Sequence, residues 1–276
     1  CALPIFAGDP SASYQYFDLS IVNLGFGGLL PADLDGPPPP PGTPGYFAMI
    51  DDSTLTPADT ISLWAFRVNW TNAVLSTFGA NGLPNLVINV APFNSVFGGG
   101  RNNIPQPGTT QRLDALADRL MHRVQYRNFG GHESLVMTHT VDVDGTDHAG
   151  VRYYELRRQL PAGVFAIHEQ ATFAPDENHR WMGSAALDGN GNLAVGYSVS
   201  GPSVFPSIRY AGRLAGDPVG GLFQGEGELY AGSGSQTHAA ARWGDYTMLA
   251  VDPADDATFW YVNEYLPATS AAGWHT

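Results

Sequence analysis

Three arginines recur at a regular interval. Arg119, Arg180 and Arg242 stand 61 and 62 residues apart, and the last two are each followed by a tryptophan, Trp181 and Trp243. A guanidinium offers a planar fork of donors that matches a carboxylate bidentately, so three of them from successive repeats could cradle an anionic group. Asp118, Asp245 and Tyr246 lie beside them in the chain. A carboxylate or a phenol at such a place can act as acid, base or nucleophile. The competing role is structural, each Arg tying its repeat to the next by pairing with Asp118, Asp245 or a backbone carbonyl. Structural roles repeat and catalytic ones rarely do, so the recurrence favours that role.

His132-Glu133-Ser134 is the most reactive-looking triplet, in which a buried Glu133 would serve as acid or base. His139, His148 and His168 follow it without a close pair or an HExxH, so a transition-metal site would need ligands from separate strands. Two acidic loops are weak calcium candidates: Asp142, Asp144 and Asp147, and Asp188, Asn190 and Asn192. The second opens like a calcium loop but has Leu193 at its sixth position and Val199 where a bidentate Glu belongs. Ser184, Ser203, Ser233 and Ser235 lie in no Gly-x-Ser-x-Gly elbow, and the glycines at 98–100 are not followed by Lys as in a phosphate loop.

The elements that must position these residues repeat as well. RWMGSAALDGNGNLAVGYSVS and RWGDYTMLAVDPADDATFWYVNEY each read as strand, acidic turn and strand. An earlier copy opens at Arg119, and a weaker one pairs Leu29–Gly36 with Tyr46–Asp52 across a Pro-rich loop. Third strands are expected at Ser62–Trp70, Gly150–Arg157 and Ser207–Arg213, and fourth strands at Val74–Phe78, Val164–Phe173 and Leu222–Tyr230. Four antiparallel strands at a period of about 60 residues predict an all-β fold, a β-propeller of about five blades, over 1–276 as a single domain. Residues 80–112 read as an irregular insertion, and Leu113–Val124 as strand preceded by a short helix. The AGDP at Ala7–Pro10 recurs at Ala215–Pro218, which places Tyr14–Ser20 in a blade shared with Phe259–Tyr265 at the other end of the chain.

Charge narrows the partners. Net charge is −13, and all thirteen basic residues are Arg, so no basic patch is available to neutralise nucleic-acid phosphates. No apolar run approaches the length of a membrane-spanning helix. Cys1 is the single cysteine, which leaves no internal disulfide and no cysteine-based metal site.

The runs RLMHRVQYRNFGGHESLV, GVRYYELR, HRWMGSAALDGNGNLAVGYSVS, PSIRYAGRLAGDP and RWGDYTMLAVDPADDATFWYVNEY resemble a family of bacterial secreted or surface proteins with sialidase-like propeller repeats. The resemblance runs over nearly the whole chain. It implies the fold, a secreted or cell-surface setting, a further hairpin before Cys1 and a closing strand after Thr276. It brings no assigned reaction. Sialidases also hold a carboxylate with an arginine triad, the role open to Arg119, Arg180 and Arg242. Their Asp-box is not reproduced, since Asp188–Leu193 lacks its spacing and its Thr-Trp ending.

The resulting expectation is a module that binds an extracellular ligand, a glycan above all, with Arg119, Arg180, Arg242, His132, Trp181 and Trp243 as ligand-binding candidates. A glycoside hydrolase using Glu133, Asp118, Asp245 and Tyr246 is the enzymatic alternative, and a purely structural module of a larger surface protein is the third.

Overall fold

A computed structural model describes residues 16–276. The fold is all-β, and strands form where the sequence alternates apolar and polar residues between Gly-, Pro- and Asp-rich turns. In the first unit, β1 (Leu30–Asp35), β2 (Gly45–Asp51) and β3 (Thr60–Arg67) run antiparallel, with β4 (Thr77–Phe78) and β5 (Leu86–Asn89) both on the outer edge of β3. The second unit is β6 (Met121–Asn128), β7 (His132–Asp142), β8 (Ala149–Gln159) and β9 (Ala166–Phe173). The third is β10 (His179–Leu187), β11 (Leu193–Gly201), β12 (Val204–Arg213) and β13 (Glu226–Tyr230), and the hairpin β14 (Met248–Val251) with β15 (Phe259–Val262) follows.

Discrete four-stranded units were expected throughout, and the third unit is one. The first two are instead fused. β1 pairs parallel with β6, from Ala32 opposite Val124 to Asp35 opposite Arg127, giving one strongly curled nine-stranded sheet. The reason is chemical: alternate residues of β6, Arg123, Gln125 and Arg127, are buried and polar and need partners. Arg123 donates to Asp33 at 2.6 Å, to Asp35, and through Nε to the Leu249 carbonyl at 3.1 Å. Gln125 donates to Asp35 and the Leu187 carbonyl and accepts from the Leu187 amide, while Arg127 reaches Asp256. One strand thus draws β1, β10, β14 and the β14–β15 turn around itself.

The hairpins repeat as the sequence predicts. Asp188 and Asp252 each open a turn, their amides donating to the carbonyls of Asn192 and Thr258. Trp181 and Trp243 meet in one buried cluster, ring centroids 6.5 Å apart. Residues 243–247 were expected to extend β14, but Gly244 takes a φ of +57° and Thr247 closes a turn on its carbonyl, so the strand begins at Met248. No helix forms over Leu113–Leu120. Leu113 pairs with Ile104 in an isolated bridge, and Leu113, Leu116 and Leu120 are buried without a helical backbone. The fourth strand of the first unit also comes partly from the expected insertion, since β5 extends along β3 where β4 is only two residues long.

The shared terminal blade is not formed by the described part of Tyr14–Ser20. Phe17 packs on Phe66 and Phe78, and Leu19–Ile21 is a 3-10 turn against the first unit. Tyr14, Gln15 and the first AGDP lie outside the described residues. No helix among the described residues is long and apolar enough to cross a membrane.

Arg123 is 2% exposed and its partner Asp35 11%. Arg123→Met therefore takes the cation from a buried carboxylate, leaving Gln125 to donate to Asp35, and is expected to cost about 3–5 kcal/mol. Arg119→Met, on an exposed pair with Asp118, is expected to cost no more than about 1 kcal/mol. Urea denaturation of the two variants checks this, and equal losses would remove β6 from its central place.

Candidate functional site

The three repeated arginines do not converge. Arg180 lies within β10 and is fully buried, donating to Glu226 at 2.8 Å and to Asp176 at 2.8 and 3.0 Å. Arg119 precedes β6 and Arg242 lies in the loop before β14, so both stay exposed. Arg119 forks onto Asp118 at 2.9 and 2.7 Å, and Arg242 forks onto Asp245. These two pairs share one end of the molecule: each arginine feels the other pair's charge, and Asp114 donates its amide to the Ala241 carbonyl at 2.8 Å.

Glu133 is fully buried at the opposite end of β7 and accepts from Tyr126 Oη and Arg158 Nε, each at 2.6 Å. Beside it, His132 stacks on Phe129, and burial lowers its pKa. The calcium candidates are occupied by their own loops. Asp142 accepts amides of Asp144, Gly145 and Asp147, and Asp188 accepts those of Asn190 and Asn192. Asp147 holds the amides of Gly98 and Gly99. Among the described residues, no three His, Cys, Asp or Glu are gathered as a metal would require.

A cleft of about 530 Å³ lies where Arg242 and Asp245 are. Its floor is rigid: Trp243 donates Nε1 to Ser198 Oγ at 3.1 Å, and Asn263 Nδ2 bonds Ser198 Oγ and Tyr261 Oη at 3.0 and 2.8 Å. Arg242, Asp245, Tyr246, Glu264 and Trp274 also line it. Trp274 is held there because His275 and Tyr265 exchange both backbone hydrogen bonds at 2.9 Å, and Tyr265 stacks on Tyr230. Tyr246 is 85% exposed and Trp274 58%, two aromatic residues open to solvent.

The electrostatics of this end are uneven. Burial pushes the Glu264 carboxyl up, the Gly244 amide offsets part of this, and the Asp245 charge adds to the rise. The Arg119 fork holds Asp118 below the usual carboxylate range. The two carboxyls are thus pushed in opposite directions, the kind of difference that lets carboxyls take separate acid and base roles.

Sequence reasoning reached Arg242, Trp243, Asp245 and Tyr246 through the repeat, and missed Glu264, Asn263 and Trp274. A signal for them existed in the polar Asn263-Glu264 directly after the aromatic β15. Comparison with protein-family models, with curated proteins and with solved structures finds no match for this chain.

A carboxyl with a raised folded-state pKa adds stability below its unfolded pKa and loses it as pH rises through the folded value. Glu264→Gln is therefore expected to gain melting temperature relative to the wild type as pH rises above the ordinary Glu value of about 4.3. Asp245→Asn should lower the Glu264 titration midpoint followed by carbon-detected NMR, and an unmoved midpoint would show that the two carboxyls do not interact.

Proposed function

We propose that this chain is a β-propeller module that binds a glycan in the cleft beside Arg242 and Asp245. The propeller reading is supported by the four-stranded unit β10–β13 and by the inner strands β1, β6, β10 and β14, which the side chains of β6 draw together. The extracellular setting rests on the family resemblance. Ligand recognition rests on one observation: two exposed aromatic residues, Trp274 and Tyr246, line the same cleft of about 530 Å³ as Arg242, Asp245, Asn263 and Glu264. Sugars suit such a surface, because the apolar face of a pyranose lies on an aromatic ring while its hydroxyls bond carboxylates and amides at the edge. The expected arginine cradle is reduced to Arg242, already forked onto Asp245, so a neutral sugar fits better than an acidic one.

A glycoside hydrolase is the second reading, and the raised Glu264 is the observation that favours it. Glu264 would act as general acid and Asp245 as the second carboxyl of the pair. Glu133, fully buried and bonded to Tyr126 and Arg158, takes no part in either reading.

Trp274→Ala and Tyr246→Ala are expected to weaken glycan binding at least about tenfold, while exposed positions such as these change stability by about 0.5 kcal/mol or less. A glycan array followed by titration checks this. Hydrolysis of chromogenic glycosides that disappears in Glu264→Gln would establish the enzyme. An array with no bound glycan would leave the structural-module reading in its place.

A further inference from the structure

Charged residues make up 14% of the chain, yet residues 19–32 and 68–100 contain no Asp, Glu, Lys, Arg or His. The fold brings these two stretches together at the outer edge of the first unit. Phe17 packs on Phe66 and Phe78, which flank the loop 68–76, and Trp64 donates Nε1 to the Gly82 carbonyl at 2.8 Å. Gly82 in turn lies against Leu19 and Val22, where a Cβ on it would stand 2.7 Å from Val22 Cγ2. Around this junction large apolar side chains face water. Ile21 and Leu24 on one stretch, and Trp70, Val74 and Leu75 on the other, are between 61% and 89% exposed. Leu83, beside the Gly82 contact, is exposed as well.

Single exposed apolar residues are ordinary on a protein surface, but an uncharged group of this size marks a contact. The backbone of the loop 68–76 points to the kind of contact. Asn69 Oδ1 accepts the amides of Thr71 and Asn72 at 3.1 and 2.8 Å, and Asn72 Oδ1 accepts that of Val74 at 3.2 Å. Ser76 Oγ accepts the Asn69 amide at 3.0 Å. The Leu75 and Ser76 amides bond the Asn72 and Ala73 carbonyls around a 3-10 turn. The loop therefore spends most of its polar backbone on itself while its apolar side chains stand outward. A protein partner supplies hydrogen bonds across an interface; hydrocarbon supplies none, so a segment entering it must arrive with its amides satisfied. The side chains agree with that setting. Exposed Trp70 and Tyr16 are of the types that favour the bilayer interface, and the aliphatic groups suit the zone just beneath it.

We propose that this edge docks on the surface of a zwitterionic lipid bilayer, with Ile21, Leu24, Trp70, Val74 and Leu75 seated in the interfacial zone. A net charge of −13 opposes an anionic surface, so the headgroups must be neutral overall. Each side chain that leaves water adds apolar area to the attachment, which is reversible and far short of a membrane span. The docking edge shares no residue with the Arg242 cleft, so it stands independently of the glycan reading.

The test is co-sedimentation of the full chain with vesicles of phosphatidylcholine alone, at low and at high salt. Binding is expected at both, because apolar contact is not screened, and it should weaken when phosphatidylglycerol is mixed in. Val74→Asp and Leu24→Asp are each expected to lower the partition constant about tenfold or more, as replacing a buried aliphatic group by a charge implies. Both positions are exposed, so the melting temperature should stay that of the wild type. Phosphatidylcholine brominated on its acyl chains should quench the fluorescence of the bound wild type and quench Trp70→Phe much less. Should an Asp variant melt lower, the quenching of this conservative variant still decides. The proposal is overturned by a chain that sediments with no vesicle, by binding undiminished in both Asp variants, or by quenching undiminished in Trp70→Phe. Self-association that the Asp variants abolish, seen by ultracentrifugation without any vesicle binding, would also overturn it and assign the edge to contact between copies of this chain.

Discussion

The structure depends on the desolvation of β6. An ordinary strand buries apolar residues on its inner face, but this one buries Arg123, Gln125 and Arg127 in succession. Guanidinium groups taken out of water are tolerable only when each donor finds an acceptor. That requirement calls in Asp33 and Asp35 from β1, the Leu187 carbonyl from β10, the Leu249 carbonyl from β14 and Asp256 from the last turn. The centre of the fold is thereby filled with directed contacts, where hydrophobic packing alone would leave the relative placement of strands loosely specified.

The loops at the Arg242 end are built on different terms from the centre. Around β6 the ionic groups are paired and buried, although Arg127 Nε has no partner of its own among the described residues; at the Arg242 end Arg119 and Arg242 are forked to neighbours and exposed. Glu264 and Asp114 both carry a desolvation cost that their surroundings do not remove. Arg180 belongs with the first set: the repeat makes it the counterpart of Arg242, yet Asp176, Glu226 and the Asn178 carbonyl take its N–H donors and its plane lies over Phe173.

Much of this was legible in the sequence, and the misses have physical causes. The β10–β11 hairpin reads cleanly because Asp188-Gly189-Asn190-Gly191 can only be a turn between two apolar runs. Residues 243–247 misled because aromatic content favours strands, whereas the positive φ at Gly244 is a property of the backbone that composition does not reveal. The short helix expected at the start of Leu113–Val124 does not form: Leu113, Leu116 and Leu120 are buried at helical spacing, but burial under an irregular loop imposes no backbone period. The equivalence of Arg119, Arg180 and Arg242 was visible, but not which would be buried, because Glu226 lies 46 residues from Arg180. Arg123 and Arg127 carried a signal that was passed over: with Gln125 they form a polar row at period two, alternating with Val124 and Tyr126.

The parallel pairing of β1 with β6 constrains the order in which the chain can assemble. Ala32 meets Val124 across an intervening stretch that contains all of β2 to β5. During synthesis from the N-terminus, the first unit emerges with the outer edge of β1 unpaired until residue 128 has followed it. Closure over so long a loop is slow, and an unsatisfied strand edge is a template for pairing with other chains. The acidic side chains that later hold Arg123, Asp33 and Asp35, lie on that waiting edge strand. Before β6 arrives they are unneutralised charges on it, and charge of one sign is a common guard against edge-to-edge association. The same two carboxylates thus serve the nascent chain by repulsion and the finished one by attraction.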